Sequence, residues 1–385
     1  MLSNLKFRIV NMRLHYLLLR LHLISLFSLF CLASDWPSWR GPSGDSISTS
    51  TGLISSWSQD GSNLLWSIPF TGRSTPIILG QKVCSNGRIG EGVHRQEMVA
   101  CFDVEDGRRL WEYRFNVYLT TVPWNRVGWA NISGDPETGY IFSQGVGGTL
   151  LCLDEEGQLV WSRSLAEDFG FFSGYGGRTQ TPVVDEKRLI VTFVSGSWGD
   201  WSAPRHRTFA FNKYTGDLLW VATPGQRPAD LNTQSTPVIA TINSQRLLIQ
   251  GNADGSICAI QARTGKPVWR FRLSKRGLNT SVVVSGETVY ATHSEENLNG
   301  GPMGAVVAID ATGAGDVTTT HQKWRTNIAA GFSSPLLKDG KLFVVDNSAN
   351  LHCLNASDGT KMMDFSIGTV GKGSPVWAIK PSITL

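Results

Sequence analysis

One short phrase recurs six times along this 385-residue chain: a small residue, an apolar residue, Asp or a relative, a turn ending in Gly, and then a large side chain. Four copies are regular: Ala100 to Trp111 (ACFDVEDGRRLW), Leu151 to Trp161 (LCLDEEGQLVW), Phe209 to Trp220 (FAFNKYTGDLLW) and Cys258 to Trp269 (CAIQARTGKPVW). Two are looser: Val307 to Trp324 has a longer turn, and His352 to Met363 puts Met in place of Trp. Each copy reads as a hairpin, an apolar strand of period two, a tight turn in which Gly takes positive φ, and a second strand opening on a large side chain.

A second marker comes before each copy but one: STPII (Ser74 to Ile78), QTPVV (Gln180 to Val184), STPVI (Ser235 to Ile239), TSVVV (Thr280 to Val284) and SSPLL (Ser333 to Leu337), with GSPVW (Gly373 to Trp377) after the last. The stretch around ANISG plays this part in the second repeat. Small residues followed by Pro suit the first position of a short strand. The docking positions Trp66, Trp111, Trp161, Trp220, Trp269 and Trp324 lie about 40 to 60 residues apart, the spacing of four-stranded propeller blades. The expected fold is therefore all-β, a seven-bladed β-propeller of four-stranded antiparallel blades, with an eighth blade open only to a longer chain.

Six blades are complete between Ser74 and Phe365. The seventh is expected to be split: NLLWSI (Asn63 to Ile68) as a lone outer strand and GSPVWAI (Gly373 to Ile379) as a lone inner strand, joined to close the ring. Its two middle strands are missing, so the C-terminal end reads as truncated or frame-shifted. The domain reading is a signal peptide over 1–33, a lead-in over 34–61 and the propeller over 62–385.

The leader reading rests on Lys6, Arg8, Arg13 and Arg20, no acid, and the apolar run LISLFSLFCLA ending at Ala33. That run is short for a membrane span, and Phe30 before Cys31 is too bulky for a lipid-attachment site. The expected location is therefore exported, periplasmic or extracellular, without a stable membrane span. The leader carries four of the 35 basic residues and none of the 31 acidic ones, which leaves 31 of each. A neutral mature chain excludes an electrostatic case for nucleic acid. Nothing in it calls for an oligomer, and a monomer is expected.

Five cysteines follow the leader. Cys101, Cys152 and Cys353 fall in the small slot that other copies fill with Ala210, Ala259 and Ala308. They read as alanine substitutes, and Cys84 and Cys258 as buried thiols in apolar strands. Equivalent slots of different blades are far apart, so no disulfide is expected among Cys101, Cys152 and Cys353.

The phrase resembles the tryptophan-docking repeat AxDxxTGxxxW of pyrroloquinoline quinone (PQQ) type propellers; a WD40 repeat would show Gly-His and Trp-Asp pairs. DWPSWRGPSGDSIS (Asp35 to Ser48) is similar to the opening of a group of exported bacterial PQQ-like repeat proteins, DWPxxRGPxGDG. The resemblance covers nearly the whole chain after the leader. It implies an architecture shared by several functions. The leading reading is a scaffold that binds an unidentified small-molecule or protein ligand through one face. The alternatives are a PQQ-dependent alcohol or sugar dehydrogenase, and a scaffold like the outer-membrane assembly lipoprotein.

A quinoprotein would call for adjacent cysteines beneath the quinone, a Trp floor, and Glu, Asn and Asp around calcium. This sequence has no adjacent cysteines, no matching calcium set and no CxxCH haem site. No cofactor is required on this reading, and PQQ with calcium belongs to the alternative. His94, His206 and His293 lie among Glu91, Glu97, Asp200, Glu295 and Glu296 without HExxH or CxxC spacing, so no metal site is expected.

The ligand face is read from loop lengths. The second-to-third-strand connection is long in odd blades (Asn86 to Glu97, Ser195 to Arg207, His293 to Gly304) and tight in even ones, and two long aromatic links, Asn116 to Trp129 and Leu165 to Arg178, share that face. Trp124, Trp129, Trp198 and Trp201 lie outside the repeat grammar and form a candidate aromatic cup, or else a small core for the loops. Arg73, Arg178, Arg276 and Lys372, beside Gln180, Gln234 and Asn279, precede inner strands and are candidates to converge on an anion at the channel axis.

Overall fold

In the computed structural model the described residues are 35–51, 53, 54, 56, 58, 60–117, 123–172, 179–196, 203–226 and 233–378. The leader, Arg178, Trp198 and Trp201 lie outside them. Each copy of the phrase becomes the third and fourth strand of a sheet, and each small-residue marker leads into the first. After β1 (Ile47–Ser48), blade 1 is β2 (Ile77–Leu79), β3 (Lys82–Ile89), β4 (Gln96–Asp103) and β5 (Arg109–Asn116). Blade 2 is β6 (Ile132–Gly134), β7 (Ile141–Gln144), β8 (Thr149–Leu153) and β9 (Leu159–Ser164), followed by the short helix α1 (Leu165–Phe169). Blade 3 is β10 (Val183–Asp185), β11 (Arg188–Ser195), β12 (Arg205–Asn212) and β13 (Leu218–Ala222). Blade 4 is β14 (Val238–Ile242), β15 (Gln245–Gly251), β16 (Ser256–Gln261) and β17 (Pro267–Arg272). Blade 5 is β18 (Val283–Ser285), β19 (Thr288–His293) and β20 (Ala305–Asp310), then, after the inserted β21 (Gly315–Asp316), β22 (Gln322–Thr326). Blade 6 is β23 (Leu336–Lys338), β24 (Lys341–Val345), β25 (Asn350–Asn355) and β26 (Lys361–Ser366), and β27 (Trp377–Ala378) follows.

Every blade is an antiparallel meander, and all six share one irregularity. The pairing of third and fourth strands shifts register just after the small slot, at Cys101/Phe102, Cys152/Leu153, Ala210/Phe211, Ala259/Ile260, Ala308/Ile309 and Cys353/Leu354. A bulge there re-aims the facing large side chain. That side chain crosses to the next blade. The indole nitrogens of Trp66, Trp111, Trp161 and Trp324 donate to the carbonyls of Val104, Glu155, Lys213 and Ala356 at 2.9, 2.9, 3.0 and 3.0 Å. The turn residue they pack under must be Gly: at Gly157 (φ +79) an added Cβ would run into Trp111, and Trp220 meets Gly265 in the same way. Trp269 is accommodated differently. The longer turn of blade 5 supplies β21, which pairs in parallel with β17 and sets Gly315 opposite Trp269.

Around the channel the inner strands are tied by a belt. The backbone nitrogens of Thr181, Thr236, Ser281 and Ser334 donate to the hydroxyls of Thr236, Ser281, Ser334 and Ser374 at 3.1, 2.9, 2.9 and 3.0 Å. Asn131 extends it, accepting from Thr75 N (3.0 Å) and donating to Thr181 Oγ1 (3.1 Å). The small residues that mark each inner strand are therefore linkers between blades.

The structure corrects two expectations. The first concerns the lead-in, which belongs to the propeller: Asp35–Leu385 is one compact unit. Trp36 pairs with Ile78 of the first inner strand, and the segment from Asp35 descends into the channel. Residues 63–68 form no strand although Trp66 docks as expected, and β27 pairs in parallel with β1 of the lead-in. The second concerns Cys84 and Cys101, read as free buried thiols; as expected, no disulfide joins Cys101, Cys152 and Cys353 to one another. Cys152, Cys258 and Cys353 are buried free thiols, but Cys101 is bonded to Cys84. These two are directly opposite across β3 and β4, with Cα atoms 4.1 Å apart. Comparing one slot across different blades left out the partner facing it within the same blade.

Candidate functional site

The channel has two unlike ends. Inner strands run away from the looped face; the lead-in enters among their far ends, where Asp35 accepts from the Gly80 nitrogen at 2.7 Å, and reaches up the channel to the level of the belt. Arg40, from the RGP of the lead-in, is only 2% exposed. Its guanidinium donates to the carbonyls of Val282 (3.0 Å) and Pro335 (2.7 Å) on blades 5 and 6 and to Ser46 Oγ (2.9 Å). Burial pulls this guanidinium down to about 10, against the opposing pull of Asp45. Between the lead-in and the inner strands of blades 2 to 4 lies a cavity of about 560 Å3. Charges on its wall are matched: Lys213 Nζ lies 2.7 Å from Asp135 and 2.6 Å from Glu137, and Arg246 pairs with Asp185 at 2.5 Å.

At the looped end, the residues two before each belt position form an equivalent set: Arg73, Trp129, Thr179, Gln234, Asn279, Phe332 and Lys372. Neighbours in this set touch. The Arg73 guanidinium lies 4.9 Å from the ring centroid of Trp129, and Lys372 Nζ lies 5.4 Å from that of Phe332. Arg126 stands over the same Trp129 ring at 5.3 Å. Arg88 reaches the carbonyl of Asn125 at 2.5 Å, and burial followed by the nearby charges of Arg95 and Arg73 lowers its pKa. Among the described residues, Trp129 Nε1, Gln234 Nε2 and Asn279 Oδ1 are buried side-chain atoms without hydrogen-bond partners, as is Ser333 Oγ one step away. Gln180 is satisfied, donating to the carbonyl of Thr233 at 2.5 Å.

Of the four candidate cations, Arg73 and Lys372 therefore share one register. Arg276 does not. It lies in the turn region packed against Gly255, where its backbone nitrogen donates to Ser274 Oγ at 3.1 Å, and Asn279 holds the equivalent position in blade 5. Trp124 starts a single 3-10 turn, Trp124–Arg126, in the link between blades 1 and 2.

Three buried titratable groups lie just below this rim, and the odd-blade loops had placed them at the surface. Glu97, fully buried on β4, accepts from Asn86 Nδ2 (3.2 Å) and from the backbone nitrogen of Val146 in the next blade's turn (2.9 Å). Burial pushes its carboxyl up to about 7, against its hydrogen bonds. His206 holds the same position in blade 3, four residues before the small slot. It lies 2.5 Å from Thr192 Oγ1 and 3.1 Å from Asn252 Oδ1 of blade 4. Burial pushes it down to about 4, and His293, buried near Arg325, also to about 4. The strands of these hairpins run further than the loop reading allowed, to Ile89 and Gln96 in blade 1. The signal missed was that Glu97 and His206 stand at one register relative to the repeat. Among the described residues no group of three His, Cys, Asp or Glu is placed to hold a metal ion. The Cys84–Cys101 pair lies across two strands, so the adjacent-cysteine feature of a quinone site has no counterpart here.

Comparison with known proteins agrees with this architecture. The outer membrane protein assembly factor BamB of Moranella endobia (strain PCIT) is 22% identical over 269 residues, 69% of this chain and 62% of that protein, so the match spans less than two thirds of its relative. BamB from Moraxella catarrhalis superposes with a TM-score of 0.50 at 16% identity, over 79% of this chain and 84% of that one. A europium-containing methanol dehydrogenase gives 0.50 at 12% identity, over 89% and 87%. At such identities the superpositions establish the fold alone. A family model described as outer membrane protein assembly factor BamB matches residues 95–363, well over half the sequence, and the chain belongs to this family of PQQ-like repeat propellers.

Proposed function

We propose that this chain is an exported propeller scaffold that binds an anionic ligand, or an acidic segment of a protein partner, at the looped mouth of its channel. The observation that carries this reading is the stacking of Lys372 on Phe332 and of Arg73 on Trp129 within one ring, beside buried polar atoms with no internal partner. Arg73 and Lys372, held over aromatic faces and exposed, stay oriented toward a carboxylate or phosphate. Export is supported by the basic, apolar leader and by the Cys84–Cys101 bridge, since such bonds persist in oxidising compartments.

The relatives' name favours a protein over a small molecule as the bound species, in keeping with a role in envelope assembly. The dehydrogenase alternative has only a shared fold behind it, and the residues present do not match a quinone and calcium site. One experiment separates the readings. Fluorescently labelled acidic peptide and free PQQ with calcium are titrated against the full chain at low and high salt. The scaffold reading expects saturable peptide binding that weakens as salt screens the contacts, and that falls at least tenfold in an Arg73→Glu, Lys372→Glu variant. Dye reduction with PQQ, or peptide binding indifferent to both charge reversals, would overturn it.

A further inference from the structure

The inner strand of blade 4 departs from the repeat. β14 and β15 pair over five residues, where β10 and β11 pair over three, and their turn is made by Asn243 and Ser244, both of positive φ. A two-residue turn of this kind makes Ile242 and Gln245 a hydrogen-bonded pair, and in an antiparallel ladder such pairs alternate with pairs whose main-chain groups point away. Ile239 and Thr241 therefore turn their N–H and C=O groups from β15 toward the channel.

The lead-in shows what such positions take. Three residues past the belt, Ile78 in blade 1, Gly134 in blade 2 and Trp377 of β27 stand where Ile239 stands in blade 4. Trp36 exchanges both main-chain bonds with Ile78, at 2.9 and 3.0 Å; the Gly134 nitrogen donates to the Pro37 carbonyl at 2.8 Å, and the Trp377 nitrogen to the Ser46 carbonyl at 2.9 Å. In blades 5 and 6 Arg40 takes the carbonyls of Val282 and Pro335. Blades 3 and 4 are left unclaimed. Among the described residues no main-chain bond joins Val184, Ile239 or Thr241 to the lead-in, and all three line the cavity of about 560 Å3. β14 also borders a second cavity of about 260 Å3, shared with β18. Ser133, 2% exposed, lines the larger cavity with its hydroxyl unpartnered. Lys213 and Arg246 on the same wall are already matched by acids, so what stands open here is main chain and a hydroxyl, without a vacant charge.

We infer that the β14 edge binds an extended, uncharged segment of a partner polypeptide as an added strand, paired through the main chain of Ile239 and Thr241. The segment lies in the cavity beside the lead-in and repeats on blade 4 the pairing that Trp36 makes on blade 1. Main-chain bonds supply affinity. The matched walls select against charged side chains, which would be buried there without partners. The site is separate from the looped mouth and does not rest on the reading proposed for it.

The test uses the full chain, a labelled, end-blocked pentapeptide of alternating valine and threonine, and a fully N-methylated copy of that peptide. Expected are saturable binding that is equal at low and high salt, and slowed deuterium exchange at the Ile239 and Thr241 amides when peptide is bound. N-methylation removes the donors and keeps the side chains, and should weaken binding at least tenfold. Thr241→Pro removes one outward donor at a strand edge, where proline is tolerated, and should weaken binding at least fivefold with an unchanged melt; Thr241→Val should bind as the parent does. No saturable binding, equal binding of the methylated copy, or indifference to Thr241→Pro would each overturn the inference. So would Ile239 and Thr241 amides already protected in the free chain, because the edge would then be occupied. Binding that weakens with salt and is lost in the Arg73→Glu, Lys372→Glu variant would place the peptide at the looped mouth and overturn it as well.

Discussion

The two ends of the channel are made by the same inner strands and have opposite chemistry. From the plain end up to the belt a buried cation meets its acceptors, three for Arg40, and the wall charges Lys213 and Arg246 are matched by acids. At the looped end cations rest on aromatic faces and buried amide atoms lack partners. A buried polar group without a partner lowers stability, and such groups collect where a site is held ready for something else. One end is optimised for folding, and the other is left incomplete.

The strongest challenge to this contrast is Arg40→Ala. It leaves two carbonyls and a hydroxyl unpaired at a buried site and should cost about 3–5 kcal/mol in urea melts. A loss below about 1 kcal/mol would mean the plain end is not sealed by that side chain. Next is the buried carboxyl below the looped rim. Glu97 has its folded pKa raised from 4.5 to about 7, so its contribution is complete below the unfolded value and is lost as pH rises through about 7. Removing it with Glu97→Gln should raise stability at pH 7.5 relative to pH 5 by about 2 kcal/mol compared with the parent. His206 acts in the opposite sense. Its folded pKa is lowered from 6.5 to about 4, so its contribution is present above 6.5 and lost as pH falls toward 4. Parallel pH profiles for parent and Glu97→Gln would show that the carboxyl is solvated.

A smaller effect sharpens the comparison. If the looped ring is incomplete for functional reasons, Gln234→Leu and Asn279→Leu should be neutral or stabilising by about 1 kcal/mol each, while weakening ligand binding. Destabilisation by either would show that its amide has an internal role. The smallest is Lys372→Ala, expected within about 0.5 kcal/mol of the parent for an exposed residue. A large loss would place Lys372 in the frame instead of at the mouth.

The blade frame was legible because it repeats. The phrase from Ala100 to Trp111 fixes strands, turn and docking partner together, and five further copies repeat that statement. What had no repeat was not legible. Arg40 occurs once, in a segment whose place in the channel depends on contacts with Val282 and Pro335, more than 240 residues away. The Cys84–Cys101 bond needed cross-strand register, which a period-two pattern leaves free by steps of about two residues. Arg276 was grouped with Arg73 and Lys372 by nearness to an inner strand, whereas counting back from the belt residue separates them. Glu97 and His206 were visible as residues but not as buried ones, because the hairpins carrying them extend beyond the point where the apolar pattern stops.

The hydroxyl belt gives this molecule a built-in gauge of blade separation. Each of its backbone amides is held by a side chain of the following blade, not by its own sheet, so its exchange with solvent deuterium requires two blades to part. Amides within a sheet exchange when strands fray. Comparing Thr236 with Ile249 would therefore time the opening between blades 4 and 5 separately from the fraying of blade 4 itself.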